Sequence, residues 1–81
     1  IEADFHDTRI ENVSFNETIA TKTIFSKVSL KGSHFCRCSC DRIKFDARSS
    51  MRDVSFQAAM LISSNFSRVE SIINVDFTGV I

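Results

Sequence analysis

The chain has 81 residues, and its ten basic and ten acidic side chains leave no net charge, which removes any general electrostatic pull toward nucleic acid or an anionic membrane. No apolar run approaches the ~20 residues that span a bilayer, and no basic leader with an apolar stretch and a cleavage site opens the sequence, so a soluble segment with no membrane partner is expected. A chain this short holds a two-layer core only marginally, so something must supplement ordinary burial. It begins at Ile1 and stops at Val80-Ile81 inside the pattern described next, and we therefore expect a segment of a longer protein.

Eight Phe residues set the period. They fall at positions 5, 15, 25, 35, 45, 56, 66 and 77, ten apart except for one extra residue before Phe56 and one before Phe77. Neither a helical period of 3.6 nor a plain strand period of 2 produces this spacing. In chain order the finer unit is five residues long. The first twenty residues give Ala3-Asp4-Phe5, Thr8-Arg9-Ile10, Val13-Ser14-Phe15 and Thr18-Ile19-Ala20. The next stretch gives Thr23-Ile24-Phe25, Val28-Ser29-Leu30, Ser33-His34-Phe35 and Cys38-Ser39-Cys40. A third begins at Ile43-Lys44-Phe45, loses clarity around Arg48 and Ser50, and resumes with Val54-Ser55-Phe56 and Ala59-Met60-Leu61. The last holds Ser64-Asn65-Phe66, Val69-Glu70-Ser71 and Val75-Asp76-Phe77.

Residues two apart in an extended segment point the same way, so the small first residue and the Phe or aliphatic third residue face one side and the middle residue the other. A turn must follow every unit. With four sides, twenty residues close one coil, and coils stack at the ~4.8 Å spacing of paired strands. On these units the sequence resembles the pentapeptide-repeat family, whose consensus is Ala-Asp/Asn-Leu/Phe-X-X; Ala3-Asp4-Phe5, Ser64-Asn65-Phe66 and Val75-Asp76-Phe77 match it best. The resemblance implies an all-β fold, a right-handed quadrilateral β-helix of about four coils over residues 1–81.

Stacking every twenty residues predicts four inward ladders. Phe5, Phe25, Phe45 and Phe66 line one wall and Phe15, Phe35, Phe56 and Phe77 the opposite one. Ile10, Leu30, Ser50 and Ser71 fill the wall that follows the Phe5 wall, and Ala20, Cys40 and Leu61 the wall opposite it. Register slips are expected near 48–53 and 73–74, with Arg48 turned outward at a corner. Repeat stacks need capped ends; the parent protein, or a homodimer through the ends of the β-helix, is expected to supply them.

Catalytic and ligand-binding sets are not found. His6 and His34 sit outward on different faces, and Gly32 and Gly79 make no phosphate-cradling loop. In Cys36-X-Cys38-X-Cys40 the register turns Cys38 and Cys40 inward and Cys36 outward, which suits buried structural cysteines better than a tetrahedral metal site. We therefore expect no enzyme activity in this segment, no cofactor and no metal. Three cysteines in five residues make a poor disulfide framework and favour a reducing cytoplasm, or a host cytosol for a secreted effector. The sequons at Asn12, Asn16 and Asn65 are the only argument for an extracellular or luminal domain. Basic residues crowd the second coil, where stacking sets Asp7 by Lys27, Glu11 by Lys31 and Glu17 by Arg37, favouring pairing between coils over a nucleic-acid groove.

Outward apolar residues give the interaction hint. Ile19, Ile24, Met60, Ile62, Ile72 and Ile73 occupy positions the repeat usually leaves polar, with Ile19, Met60 and Ile62 on one wall. The function expected is a protein-protein interaction or scaffold module bound by a protein partner or a neighbouring domain of the same chain. By resemblance its settings include secreted bacterial effectors such as HECT-like ubiquitin ligases, where the catalytic Cys would lie outside this segment. The resemblance also covers DNA-mimicking, gyrase-interacting proteins of the quinolone-resistance type, for which a neutral four-coil stub is a poor match.

Overall fold

A computed structural model describes residues 3–46 and 48–81. The regular elements among them are seven short strands: β1 (Asp4–His6), β2 (Arg9–Glu11), β3 (Ile24–Ser26), β4 (Ser29–Lys31), β5 (Lys44–Asp46), β6 (Ser49–Arg52) and β7 (Val69–Ile73). All pairing between them is parallel and joins successive coils: β1-β3-β5 form one sheet and β2-β4-β6-β7 another. Bridges Ser14 to His34 to Ser55 to Asp76 build a third wall, and Ile19 to Ser39 to Met60 a fourth. The product is a four-sided β-solenoid, 25 × 25 × 21 Å overall.

Each wall is short because the chain bends after every unit. Nearly every bend uses one residue with left-handed backbone, and among the described residues eleven of these are not glycine, from Asp7 and Asn12 through Lys27 and Arg37 to Asn74. Such a conformation costs a side-chain-bearing residue about 1–2 kcal/mol, so hydrogen bonding between coils has to offset a recurring local penalty. One bend column reads Asn12, Gly32, Asp53, Asn74, the residue types that tolerate this backbone best. At Gly32 a Cβ would also lie 2.5 Å from Asn12 Oδ1, so the Asn12 side chain would have to turn away to admit one.

The backbone amides at the bends point along the solenoid axis and find the next coil. Asp7 N–H donates to the Ser26 carbonyl at 3.0 Å, and Lys22 N–H to the Asp41 carbonyl at 3.0 Å. Small inward hydroxyls complete the corners: Ser33 Oγ donates to the Ile10 carbonyl and accepts from Val13 N–H, both at 3.3 Å. Ser64 repeats this arrangement with Cys40 and Ile43. Among the described residues no buried side-chain nitrogen or oxygen lacks a partner, so the interior carries little of the desolvation cost that unpaired polar groups impose.

Two Phe columns fill the tube. Phe5, Phe25, Phe45 and Phe66 stack with centroids 4.8–5.2 Å apart, and Phe15, Phe35, Phe56 and Phe77 with centroids 4.7–5.4 Å apart. The columns meet across the axis edge to face, as Phe25 does with Phe35 at 6.2 Å. Both geometries are favoured by the ring quadrupole.

The inward ladder of the second wall corrects the sequence reading. Leu30 pairs in register with Met51, not Ser50, and Met51 pairs with Ile72, not Ser71. The inward ladder is Ile10, Leu30, Met51, Ile72. The first extra residue falls between Asp46 and Ser49, at the upstream edge of the expected 48–53 interval; Ala47, between Asp46 and Ser49, lies outside the described residues. Arg48 points outward there, and Ser49 takes the small inward position, its Oγ accepting from Val28 N–H at 3.3 Å. The second is absorbed at Glu70 by a bulge opposite Ser49 and Ser50, not at 73–74. Burying Met51, 1% exposed, instead of Ser is worth about 1.5–3 kcal/mol, which outweighs a local bulge and decides the register; Ile72, in the last described coil, is only partly covered.

Candidate functional site

The six outward apolar candidates do not form one patch. Ile19 and Met60 lie on the fourth wall, as the spacing predicts, but Ser39 stands between them in the same column. Ile62 follows Met60 two residues on, and these three are 63%, 39% and 49% exposed. Ile24 is on the first wall between Asp4 and Lys44, and half-buried. Ile73 is on the second wall beside Arg52. Ile72 is not an outward residue: it is the last rung of the inward ladder, exposed because no described coil covers it.

The ends of the tube are apolar too. Phe5, Phe15, Phe25, Ile19 and Ala20 line a recess of roughly 200 Å³ at the first coil. At the other end Phe77 and Ile81 are uncovered.

The cysteines depart from expectation. Cys38 and Cys40 are inward and fully buried, but they are joined by a disulfide instead of remaining thiols, and Cys36 alone is free. Two inward positions on one short strand segment set the sulfurs side by side, with Thr18 above Cys38. A ring this small contributes only about 1.6 kcal/mol through chain entropy, so the coil does not depend on it. We predict that denatured, unreduced protein takes up one equivalent of alkylating reagent, at Cys36, and three after reduction; three without reduction would show that the bridge does not form. Cys36 Sγ lies 3.4 Å from Ser55 Oγ on the third wall, and its backbone N–H is held by Asn16 Oδ1 at 2.8 Å.

Of the expected inter-coil ion pairs, Glu17 and Arg37 approach to 3.6 Å. Glu11 and Lys31 are register partners, but among the described residues neither they nor Asp7 and Lys27 close to ion-pair distance. Arg48 instead reaches Glu70 at 3.5 Å. Such exposed pairs contribute about 0–1 kcal/mol each. His6 contacts Asp4 at 2.8 Å on the first wall, while His34 is on the third, so the two do not converge. Among the described residues no three His, Cys, Asp or Glu side chains are grouped to hold a metal ion.

Asp76 has its carboxyl held below the usual range, first by a hydrogen bond from the Thr78 side chain and then by one from the Thr78 backbone N–H. The stabilisation this gives is present above the carboxyl's unfolded-state pKa and is lost as pH falls through its lower folded-state value. We expect an NMR titration of Asp76 to show a depressed midpoint that Thr78→Val moves partly back up; an unchanged midpoint would remove the Thr78 hydroxyl as the leading cause.

Parallel coils of four short walls, inward Phe stacks and left-handed bends recurring at nearly every corner define the chain as a β-solenoid of five-residue units. It belongs to the pentapeptide-repeat family, whose model matches residues 1–45 as eight copies. The match ends just before the first extra residue, while the stacking itself continues to the last coil. Compared with curated proteins, the sequence finds no match.

Proposed function

We propose that the chain is a non-catalytic protein-interaction or scaffold module. The observation that carries this reading is the fourth wall, a rigid surface on which Ile19, Met60 and Ile62 stand exposed at positions the repeat does not need to be apolar. Exposed apolar side chains held by a stiff backbone lose little entropy when covered, which favours recognition. The partner is a protein or a neighbouring domain of the same chain. The effector setting, including HECT-like ubiquitin ligases, is supported by family resemblance alone. A reducing cytoplasm or host cytosol is the compartment this reading carries; the Cys38–Cys40 bridge weighs the other way, and the alkylation count above discriminates.

Site-specific photo-crosslinking from Ser39, at the centre of the wall, tests the proposal. A protein adduct that disappears when Ile19, Met60 and Ile62 are all changed to Ser supports it. An adduct indifferent to these changes, or adducts only from the other walls, would count against this wall. The DNA-mimic alternative would show instead as gyrase binding, for which the neutral charge and the mixed basic and acidic walls give little support.

A further inference from the structure

The corrected register on the second wall brings two cations together. Lys31 of β4 pairs directly with Arg52 of β6, while Ser29 pairs with Ser50. Residues two apart along a strand are separated by ~6.6 Å and paired strands by ~4.8 Å. Ser29, Lys31, Ser50 and Arg52 therefore stand at the corners of a small rectangle, all outward, over a concavity that Ser71 and Ile73 also line. Like charges placed directly opposite each other across a strand pair destabilise a sheet, and neither cation has an ion-pair partner among the described residues. Neither neighbouring acid closes on them: Glu11, the register neighbour of Lys31, stays beyond ion-pair distance, and Asp53, which keeps its charge, turns its Oδ1 to Asn74 Nδ2 at 2.7 Å.

We propose that this rectangle is a binding site for a tetrahedral oxyanion, a phosphoryl or sulfuryl group. Arg52 supplies a planar fork of N–H donors, Lys31 a mobile point charge, and Ser29 and Ser50 neutral hydroxyl donors on the opposite edge. A group with oxygens on several sides can engage both edges at once, whereas a planar carboxylate reaches one. Binding relieves the Lys31–Arg52 repulsion, so the arrangement that costs the free protein stability favours the complex. The site is independent of the apolar fourth wall.

Titration of the isotope-labelled 81-residue chain with inorganic phosphate at constant ionic strength, followed by amide NMR, tests this. The expected result is saturable shifts confined to residues 29–31 and 50–52, with acetate and chloride producing much smaller ones. Sulfate binding as tightly as phosphate would place the source among sulfated as well as phosphorylated groups, and supports the site. Lys31→Gln and Arg52→Gln should each weaken phosphate binding by about tenfold or more, the usual effect of losing a charged hydrogen-bond donor, while leaving third-wall amides such as Ser55 in place as a check on folding. Equal responses to phosphate, acetate and chloride, or unchanged binding in both folded variants, would overturn the proposal.

Discussion

Phe35→Ala is expected to cost about 3–5 kcal/mol, the range for emptying a fully buried aromatic site. Its ring is 1% exposed and stacks on Phe15 at 4.7 Å and Phe56 at 4.8 Å, while meeting Phe25 edge to face. Small domains of this size have a total stability of about 4–12 kcal/mol, so the variant sits near the threshold of unfolding at room temperature. Phe77 offers the control, because it belongs to the same column but is 36% exposed and has stacked neighbours on one side alone. Phe77→Ala should cost less than half as much. Urea unfolding of the two variants measures the difference, and equal losses would mean that the column does not extend as a continuous stack through the middle coils.

Met51→Ala should cost about 2–5 kcal/mol, whereas Ser50→Ala, on the outer surface, should stay within about 0.5 kcal/mol of the parent. The pair tests the register of the second wall directly. Met51 is 1% exposed and lies between Leu30 and Ile72 in the inward ladder. If the interior held Ser50 instead, Met51→Ala would be nearly silent and the serine variant would lose a buried hydrogen bond. Thermal unfolding resolves the two cases, since about 1 kcal/mol shifts the midpoint of a domain this size by roughly 4–8 °C.

The regular part of the fold is legible in the sequence because one strong signal, Phe every ten residues, marks both aromatic walls and fixes all eight Phe positions. The bends are legible as turns but not as left-handed ones, since Lys27, Arg37 and Glu17 are residues that rarely adopt that backbone on their own; cooperative pairing between coils imposes it. The register of the second wall is not legible, for a different reason. Between Phe45 and Phe56 there is one residue too many and no aromatic to say where it belongs, and extending the fivefold count from Phe45 puts Ser50 in the core. Asking which choice buries more apolar surface would have selected Met51, and after it Ile72. That one-residue error also hid the Lys31–Arg52 pair, because in the misread register Arg52 falls beside Gly32. The disulfide is not legible from the number of cysteines, because it is not part of a framework: two neighbouring inward positions bring the Cys38 and Cys40 sulfurs together locally.

The two extra residues lie at the same edge of the tube in successive coils, and Arg48 and Glu70 pair across that edge. The perimeter of this solenoid is therefore adjustable at one seam while the other three corners keep their count. A seam of this kind is where a lineage can splice in a longer excursion, or an engineer can graft a loop, without re-tuning the stacked rings on either side. The edge beside the second wall is thus the natural place for this scaffold to diversify.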